Sequence, residues 1–284
     1  MNNRISVITP SFNQGTFIER TIKSVLEQNT PPFEYLIMDG GSSDETLTIL
    51  KKYESQITWD SQPDKGQSDA VNKGLTQAKG DIIGWLNSDD IYYPGTLQFV
   101  CEYFRQHPAV DIIYGNANFI DSDDKIIEPY YTETWNFERF KEYPYLCQPA
   151  VFFRRSIIEQ HGLLNINLSY CMDYEYWIRL AKGGSSFIYV DNYLAGSRVH
   201  QATKTVGSRP QVLYEINKMM LQHFGYVPDR WLSNYAHDKL EQKNITRTNK
   251  NFAKIVALRT LLASLRWNKK IKKSTLLMVL NWLK

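Results

Sequence analysis

The chain has 284 residues, is 43% hydrophobic, and carries 33 Lys/Arg against 30 Asp/Glu for a formal net charge of +3. That suffices for one large α/β core with a smaller appendage. Three scattered cysteines (Cys101, Cys147, Cys171) form no CxxC and no even set, which argues against a disulfide scaffold, and no uncharged apolar run in these residues approaches the about 18 needed for a helical membrane span.

The cysteine usage, and the absence of a basic and then apolar leader before Ile5, predict a cytoplasmic protein. Eighteen Tyr and seven Trp supply rings that fill cores and also line sites where bases or sugars stack. Charge is unevenly spread. Residues 239–284 hold twelve Lys/Arg and one acid, Glu241, so they carry +11 while the rest carries −8. A mildly acidic body with a basic tail points to an anionic partner for the tail.

Taken in order, Ile5 to Thr9 reads as a buried strand, and Ile18, Ile22, Val25 and Leu26 follow at helical spacing. Phe33 to Met38 is a second strand, and Asp44 to Tyr53 a helix. Ile57 to Asp60 is a short strand, with a helix through Val71, Leu75 and Ala78 after it. Asp81 to Leu86 is a strand, and Leu97, Val100, Cys101 and Phe104 mark the next helix. This alternation predicts a parallel sheet with helices on both faces. Asp111 to Asn116, Asn118 to Asp121 and Lys125 to Tyr130 read as further strands, and Ala150 to Arg154 as another. Asp173 to Lys182 is helical and stops at Gly183-Gly184. Ser186 to Val190 and Leu194 to Val199 return to strand. From about Arg209 the pattern is helical, broken near Pro228 and around Asn249.

In open α/β sheets, ligands bind at the carboxyl ends of strands, and polar clusters follow four strands here. Thr9-Pro10-Ser11-Phe12-Asn13 closes the first, where backbone groups can approach a nucleotide. Asp39-Gly40-Gly41-Ser42-Ser43-Asp44 closes the second; Asp44 is placed to cap the next helix, and Asp39 is left without a structural task. Asp64 to Gly74 enters a helix on which Asp69 and Asn72 share a face, with Lys65 in reach of a base or phosphate. Trp85-Leu86-Asn87-Ser88-Asp89-Asp90 delivers adjacent carboxylates, whose repulsion Mg²⁺ or Mn²⁺ relieves when it also binds substrate phosphates. Each segment alone is also what an ordinary turn or helix start contains. Asp173 begins a helix, where it either favours the helix dipole or acts as a general base. His200 closes a strand as a possible metal ligand, and Gln148 stands before another strand, placed to meet an acceptor or the donor sugar.

Together, over about residues 4 to 205, these segments resemble the family 2 glycosyltransferases of the GT-A fold. The resemblance rests on Val7 to Asn13, Asp39 to Asp44, Asp64 to Gly74, Leu86 to Asp90, Asp173 and Arg198-Val199-His200. It implies a Rossmann-like, mostly parallel central sheet in a domain at 1–205, with a helical, basic amphipathic extension at 206–284. It also implies an inverting transfer from a nucleotide diphosphate donor, a UDP-sugar, to a glycan or lipid-linked acceptor in surface-polysaccharide synthesis. Thr9, Pro10, Ser11, Asn13, Asp39, Lys65, Asp69, Asn87 and Ser88 would bind donor. Asp89 and His200 would hold Mn²⁺ or Mg²⁺, Asp173 would be the base, and Gln148 and Arg198 would meet the acceptor. Two positions depart from the family pattern: Asn87 stands where Asp is frequent, and Met172 where an acid often precedes the base. A nucleotidyltransferase would want a basic, Gly-rich loop after strand one, and Ser11-Phe12-Asn13-Gln14-Gly15 has none; a non-catalytic nucleotide-sugar or glycan-binding module would not need Asp173.

The tail combines Leu258, Leu261, Leu262, Leu265 and Trp267 with Lys269, Lys270, Lys272, Lys273, Leu276, Leu277, Leu280 and Trp282. Charge beside Leu/Trp-rich amphipathic helices predicts contact with an anionic membrane surface, hence a peripheral protein of the inner face; packing on protein, including a second subunit, is the alternative. No nucleic-acid fold signature accompanies the charge.

Overall fold

The computed structural model describes residues 4–200 and 208–283. In chain order the elements are β1 (Ile5–Ser11), α1 (Ile18–Leu26), β2 (Glu34–Asp39), α2 (Thr46–Lys52), β3 (Thr58–Ser61), α3 (Gln67–Gln77), β4 (Ile82–Trp85), β5 (Ile91–Tyr92), α4 (Thr96–Gln106), β6 (Ile112–Ile120) and β7 (Ile126–Pro129). There follow α5 (Phe137–Glu142), a 3-10 turn at Gln148–Ala150, β8 (Val151–Arg154), α6 (Ser156–His161), α7 (Met172–Lys182), β9 (Phe187–Arg198), α8 (Arg209–Phe224), α9 (Asp229–Glu241), α10 (Phe252–Asn268) and α11 (Lys273–Trp282). The chain divides into two compact units. One comprises Met1–Trp135 with Tyr145–His200, the other Asn136–Pro144 with Gln201–Lys284. The boundary expected at 205/206 falls outside the described residues.

The first unit is a single sheet in the order β3-β2-β1-β4-β8-β6-β9-β5, with β7 beside β6. Its first four strands are parallel. β8 then runs antiparallel to both β4 and β6, and β6 returns to parallel pairing with β9. Every residue of β1 is buried, as a central strand covered on both faces requires, and its polar members Ser6 and Thr9 are bonded internally to Glu34 Oε1 and the Tyr35 hydroxyl. α1 buries Ile18, Thr21, Ile22 and Val25, a stripe at helical spacing. α3 lies close against β1: a Cβ at Gly74 would stand 2.4 Å from Ile8 Cγ2, so only glycine admits this approach.

Two sequence expectations merge in the structure. The pair of strands expected at 111–121 is the single strand β6, and the pair expected at 186–199 is β9. The interruption expected at Ala117 lies beside register shifts between β6 and β9, at Gly115/Asn116 and Asn116/Ala117, rather than at a chain break. An added Cβ at Gly115 would meet Asn192 O at 2.6 Å, so the irregularity is a built-in bulge. β5, α5 and α6 were not anticipated; at two and six residues they are too short to show a period.

The second unit joins α5 to α8–α11. Phe140 of α5 is buried, and Trp231 Nε1 of α9 donates to Lys141 O at 2.9 Å. The Lys141 ammonium sits 5.5 and 5.2 Å from the ring centres of Phe137 and Phe224. Asn268 ties the end of α10 to the α8–α9 turn through both its amide groups, at 2.7 and 3.0 Å from Val227 N and O.

Candidate active site

The site-forming loops leave the carboxyl ends of β1, β2 and β4. At the first two, Gly40 N donates to Ser11 O at 2.8 Å, which continues the ladder one step past β2. Asn13 adopts a left-handed backbone (φ 52°), tolerable because its short amide bonds locally. Its N–H donates to Ser42 Oγ (2.7 Å), and its Oδ1 accepts from Ser43 N (2.9 Å). Asp39 is buried at the strand tip. Its Oδ2 accepts from Gly41 N (3.0 Å), Ser42 N (2.8 Å) and Ser61 Oγ (2.6 Å), and its Oδ1 from Ser42 Oγ (2.5 Å). Asp39 therefore does have a structural task, shaping the glycine turn, and the expectation that it had none is corrected. Asp44 joins Gly15 N (2.8 Å) to Thr46 N (3.0 Å), binding the β1 loop to the start of α2. Thr9 Oγ1 lies 3.1 Å from the Tyr35 hydroxyl, whose ionisation burial pushes far above the usual tyrosine range. Ser11 Oγ is buried without a hydrogen-bond partner, which is uncommon enough to ask for a ligand.

After β4 the two adjacent carboxylates part company. Asp90 is buried, and its oxygens accept from Arg198 N (2.8 Å) and Asn87 Nδ2 (3.2 Å). Burial and the neighbouring Asp89 charge hold its carboxyl well above the usual range. Asp89 is half-buried, and its Oδ2 lies 3.1 Å from His200 Nε2. The loop carrying it is clamped from two sides. Thr21 Oγ1 of α1 bonds the carbonyls of Ser88 (2.9 Å) and Asp90 (2.8 Å). Arg198 Nε donates to Asp89 O at 2.7 Å, while its other nitrogens reach Asp121 O and the Asp124 carboxylate. Asn87 is a hub. Its Oδ1 accepts from Gln67 Nε2 (2.8 Å) and Trp85 Nε1 (3.0 Å), and its Nδ2 also donates to Gln148 Oε1 (2.9 Å). Gln148 Nε2 in turn donates to Trp85 O at 2.6 Å.

Along α3, Asp69 accepts from Lys65 N (3.1 Å) and pairs with Lys73 (3.8 Å), while the Lys65 side chain is exposed. Asn72, expected beside Asp69 on one face, is buried and holds both the N–H and the carbonyl of Leu164 at 2.9 Å. Ser68 Oγ adds a bond to Leu168 O at 3.2 Å. The loop before α7 is thereby fastened, and Asp173 stands in the first turn of that helix. Asp173 is half-buried, and desolvation raises its carboxyl above the ordinary range against the opposing pull of backbone N–H groups at the helix start. The Cys147 thiol is pushed far up, first by burial and then by the charges of Asp90 and Asp173.

Residues 6–162 match the family described as glycosyl transferase family 2. The chain belongs to that family. It is 28% identical over 210 residues to an uncharacterised glycosyltransferase of Rickettsia typhi, a match covering 71% of this chain and 65% of the relative; it thus spans about 65% of that relative's length. It is 26% identical over 179 residues to a PGL/p-HBAD biosynthesis glycosyltransferase of Mycobacterium bovis, covering 61% of this chain and 68% of that one. Among solved structures, Staphylococcus aureus TarS in complex with UDP-GlcNAc superposes with a TM-score of 0.66 at 16% identity, covering 97% of this chain and 90% of that chain. A Pyrobaculum calidifontis mannosyltransferase in complex with GDP-Man and Mn²⁺ gives 0.62 at 15%, covering 99% and 79%. The fold is GT-A.

In this family 2 chain the structure brings Asn87, Ser88, Asp89, Gln148, Arg198 and His200 together around one loop, with Thr9, Pro10, Ser11, Asn13 and Asp39 at the neighbouring strand ends. Two expectations change. Arg198 and Gln148, read as acceptor contacts, are both buried with their side chains engaged inside the protein, so the geometry makes them positioning groups for the Asn87–Asp90 loop. Thr21, Gln67 and Asp124 were missed. Each acts through side-chain bonds to residues distant in sequence, and nothing in the local pattern of residues announces such partners.

Proposed function

We propose that the protein is an inverting glycosyltransferase that moves a sugar from a nucleotide diphosphate donor, a UDP-sugar, to a hydroxyl of a glycan or lipid-linked acceptor in polysaccharide biosynthesis. The observation that carries this reading is the division of labour between Asp89 and Asp90: one carboxylate is locked into the fold, while the other stays half-buried against an imidazole. An oxygen and a nitrogen donor 3.1 Å apart suit Mn²⁺ or Mg²⁺. Among the described residues no third acidic, His or Cys group joins them, a sparse set of the kind that donor phosphates and water complete. A divalent cation held there would neutralise charge gathering on the departing diphosphate.

The chain's own groups supply the remainder. Thr9, Pro10, Ser11, Asn13 and Asp39 line the nucleotide end, with the unpartnered Ser11 hydroxyl free to bond donor and Lys65, Asp69, Asn87 and Ser88 beyond it. Asp173 takes the proton of the acceptor hydroxyl as that oxygen bonds the anomeric carbon and the carbon–diphosphate bond breaks on the opposite side. The outcome is inversion and release of nucleoside diphosphate. UDP-GlcNAc in the TarS complex, and GDP-Man with Mn²⁺ in the archaeal mannosyltransferase complex, support this class of donor and metal.

A panel of nucleotide sugars, assayed for Mn²⁺-dependent hydrolysis and transfer, tests the reading. We expect one uridine donor to turn over, and Asp173→Asn to bind it undiminished while losing transfer by about a hundredfold or more. Turnover of none of them, or full activity in Asp173→Asn, would remove the proposal.

A further inference from the structure

The second unit carries two helices turned inside out. α10 buries Ala257, Thr260, Ala263 and Ser264 alongside Val256 and Trp267, and leaves Leu258, Leu262 and Leu265 facing outward at 58%, 47% and 46% exposure. α11 repeats the pattern. It buries only Thr275 and Val279, while Leu276, Leu277, Leu280 and, just past its end, Leu283 are exposed. The polar atoms taken inside are not all satisfied: Thr260 Oγ1 and Trp267 Nε1 have no hydrogen-bond partner, nor does the side chain of buried Asn217 on α8. A helix that had only to face water would place threonine and serine outward and leucine inward. The spacing 258, 262, 265 puts the leucines on one face of α10, and an exposed apolar set of this extent marks an interaction surface.

The charge around it selects the partner. Residues 252–283 contain Lys254, Arg259, Arg266, Lys269, Lys270, Lys272 and Lys273 and no Asp or Glu. All but Lys272, which lies over the Tyr226 ring, are exposed. A second copy docked through this face would set seven cations against seven with no acid among them, whereas an anionic surface attracts all of them. α10 has 17 residues and α11 has 10, and no helix among the described residues is long and apolar enough to cross a membrane.

We propose that α10 and α11 form a docking surface for an anionic lipid bilayer, the leucines entering the headgroup–acyl boundary while the surrounding Lys and Arg meet lipid phosphates. The binding is peripheral and needs no substrate. It is therefore independent of the transfer reaction proposed above, and the two can fail separately.

The experiment is flotation of the full chain with vesicles of phosphatidylcholine alone and of phosphatidylcholine with about a third phosphatidylglycerol, together with light scattering of the free protein. We expect flotation only with the anionic vesicles. It should weaken when salt rises from about 0.1 M to about 1 M, which cuts the Debye length from about 10 to about 3 Å. Lys269→Gln and Lys270→Gln should each weaken it by about fivefold. The triple change Leu258→Gln, Leu262→Gln, Leu265→Gln, on side chains that are already exposed, should abolish flotation while leaving the melting temperature and donor hydrolysis unchanged. Equal flotation with neutral vesicles, retention by the triple variant, or absence of flotation together with a dimer that the leucine changes dissociate would each overturn the proposal.

Discussion

Two neighbouring aspartates illustrate how little a residue's type reveals of its task. Asp89 and Asp90 read alike in sequence, yet Asp90 closes an internal network with Arg198 N and Asn87 while Asp89 faces His200. Their substitutions should therefore separate cleanly. Asp89→Ala is expected to keep the thermal midpoint within about a degree or two and to weaken Mn²⁺-dependent donor binding, read by calorimetry. Asp90→Ala strands the buried Arg198 N–H, at about 1–3 kcal/mol, removes one of the two bonds of Asn87 Nδ2, and should lower the midpoint with or without metal. Similar melting curves for the two would contradict the division. Asp173 offers a pH test. Its carboxyl is raised by desolvation, and a base works only when deprotonated, so kcat/KM should climb with pH and level off above an inflection higher than that of an ordinary aspartate. An acid limb at or below the usual aspartate position would speak against Asp173 as base. The sequence could name these residues because strand ends concentrate them. It could not tell a buried Arg198 or Gln148 from an exposed one, because their partners (Asp121, Asp124, Trp85) lie in other segments, and only the fold brings them near.

At the scale of elements, the parallel half of the sheet was the most legible part. β2 and β4 advertise themselves through the apolar runs Tyr35–Met38 and Ile82–Trp85, and β1 through Val7-Ile8 beside Ile5. Legibility fell where pairing turns antiparallel: β8 joins β4 to β6, a choice made by tertiary contacts that leave no local period. The two-residue β5 is fixed by its pairing with Ala195 and Gly196 rather than by its own sequence. Helix placement onto this sheet depends on small side chains. Gly74→Ala should cost about 1–3 kcal/mol by overpacking against Ile8, more than the roughly 1 kcal/mol gained in helix propensity. Chemical denaturation would measure it, and a stabilised variant would mean that α3 can retreat from β1 freely. Because α3 also fastens the Leu164–Leu168 stretch ahead of Asp173, the same substitution should reduce turnover more than donor affinity.

On the scale of the whole molecule, the second unit is assembled from two stretches separated by more than fifty residues, Asn136–Pro144 and Gln201–Lys284. The short stretch inserts Phe140 into that unit and receives the Trp231 indole N–H on Lys141 O. A chain ended after His200 would retain α5 while losing α8 and α9, whose Phe224 and Trp231 meet Phe137 and Lys141. It is expected to expose Phe137 and Phe140 and to aggregate, whereas the same truncation with Phe137→Ser and Phe140→Ser should stay dispersed in size-exclusion chromatography. Soluble behaviour of the unaltered truncation would show that α5 does not depend on α8–α11.

Anyone grafting the carboxy-terminal portion of one such enzyme onto the body of another inherits that arrangement. A single crossover point would split α5 from its partners, so a working hybrid has to carry the nine residues from 136 to 144 along with the terminal helices. In pedigree terms, an inserted scrap of mid-chain and a distant tail travel as one heritable block.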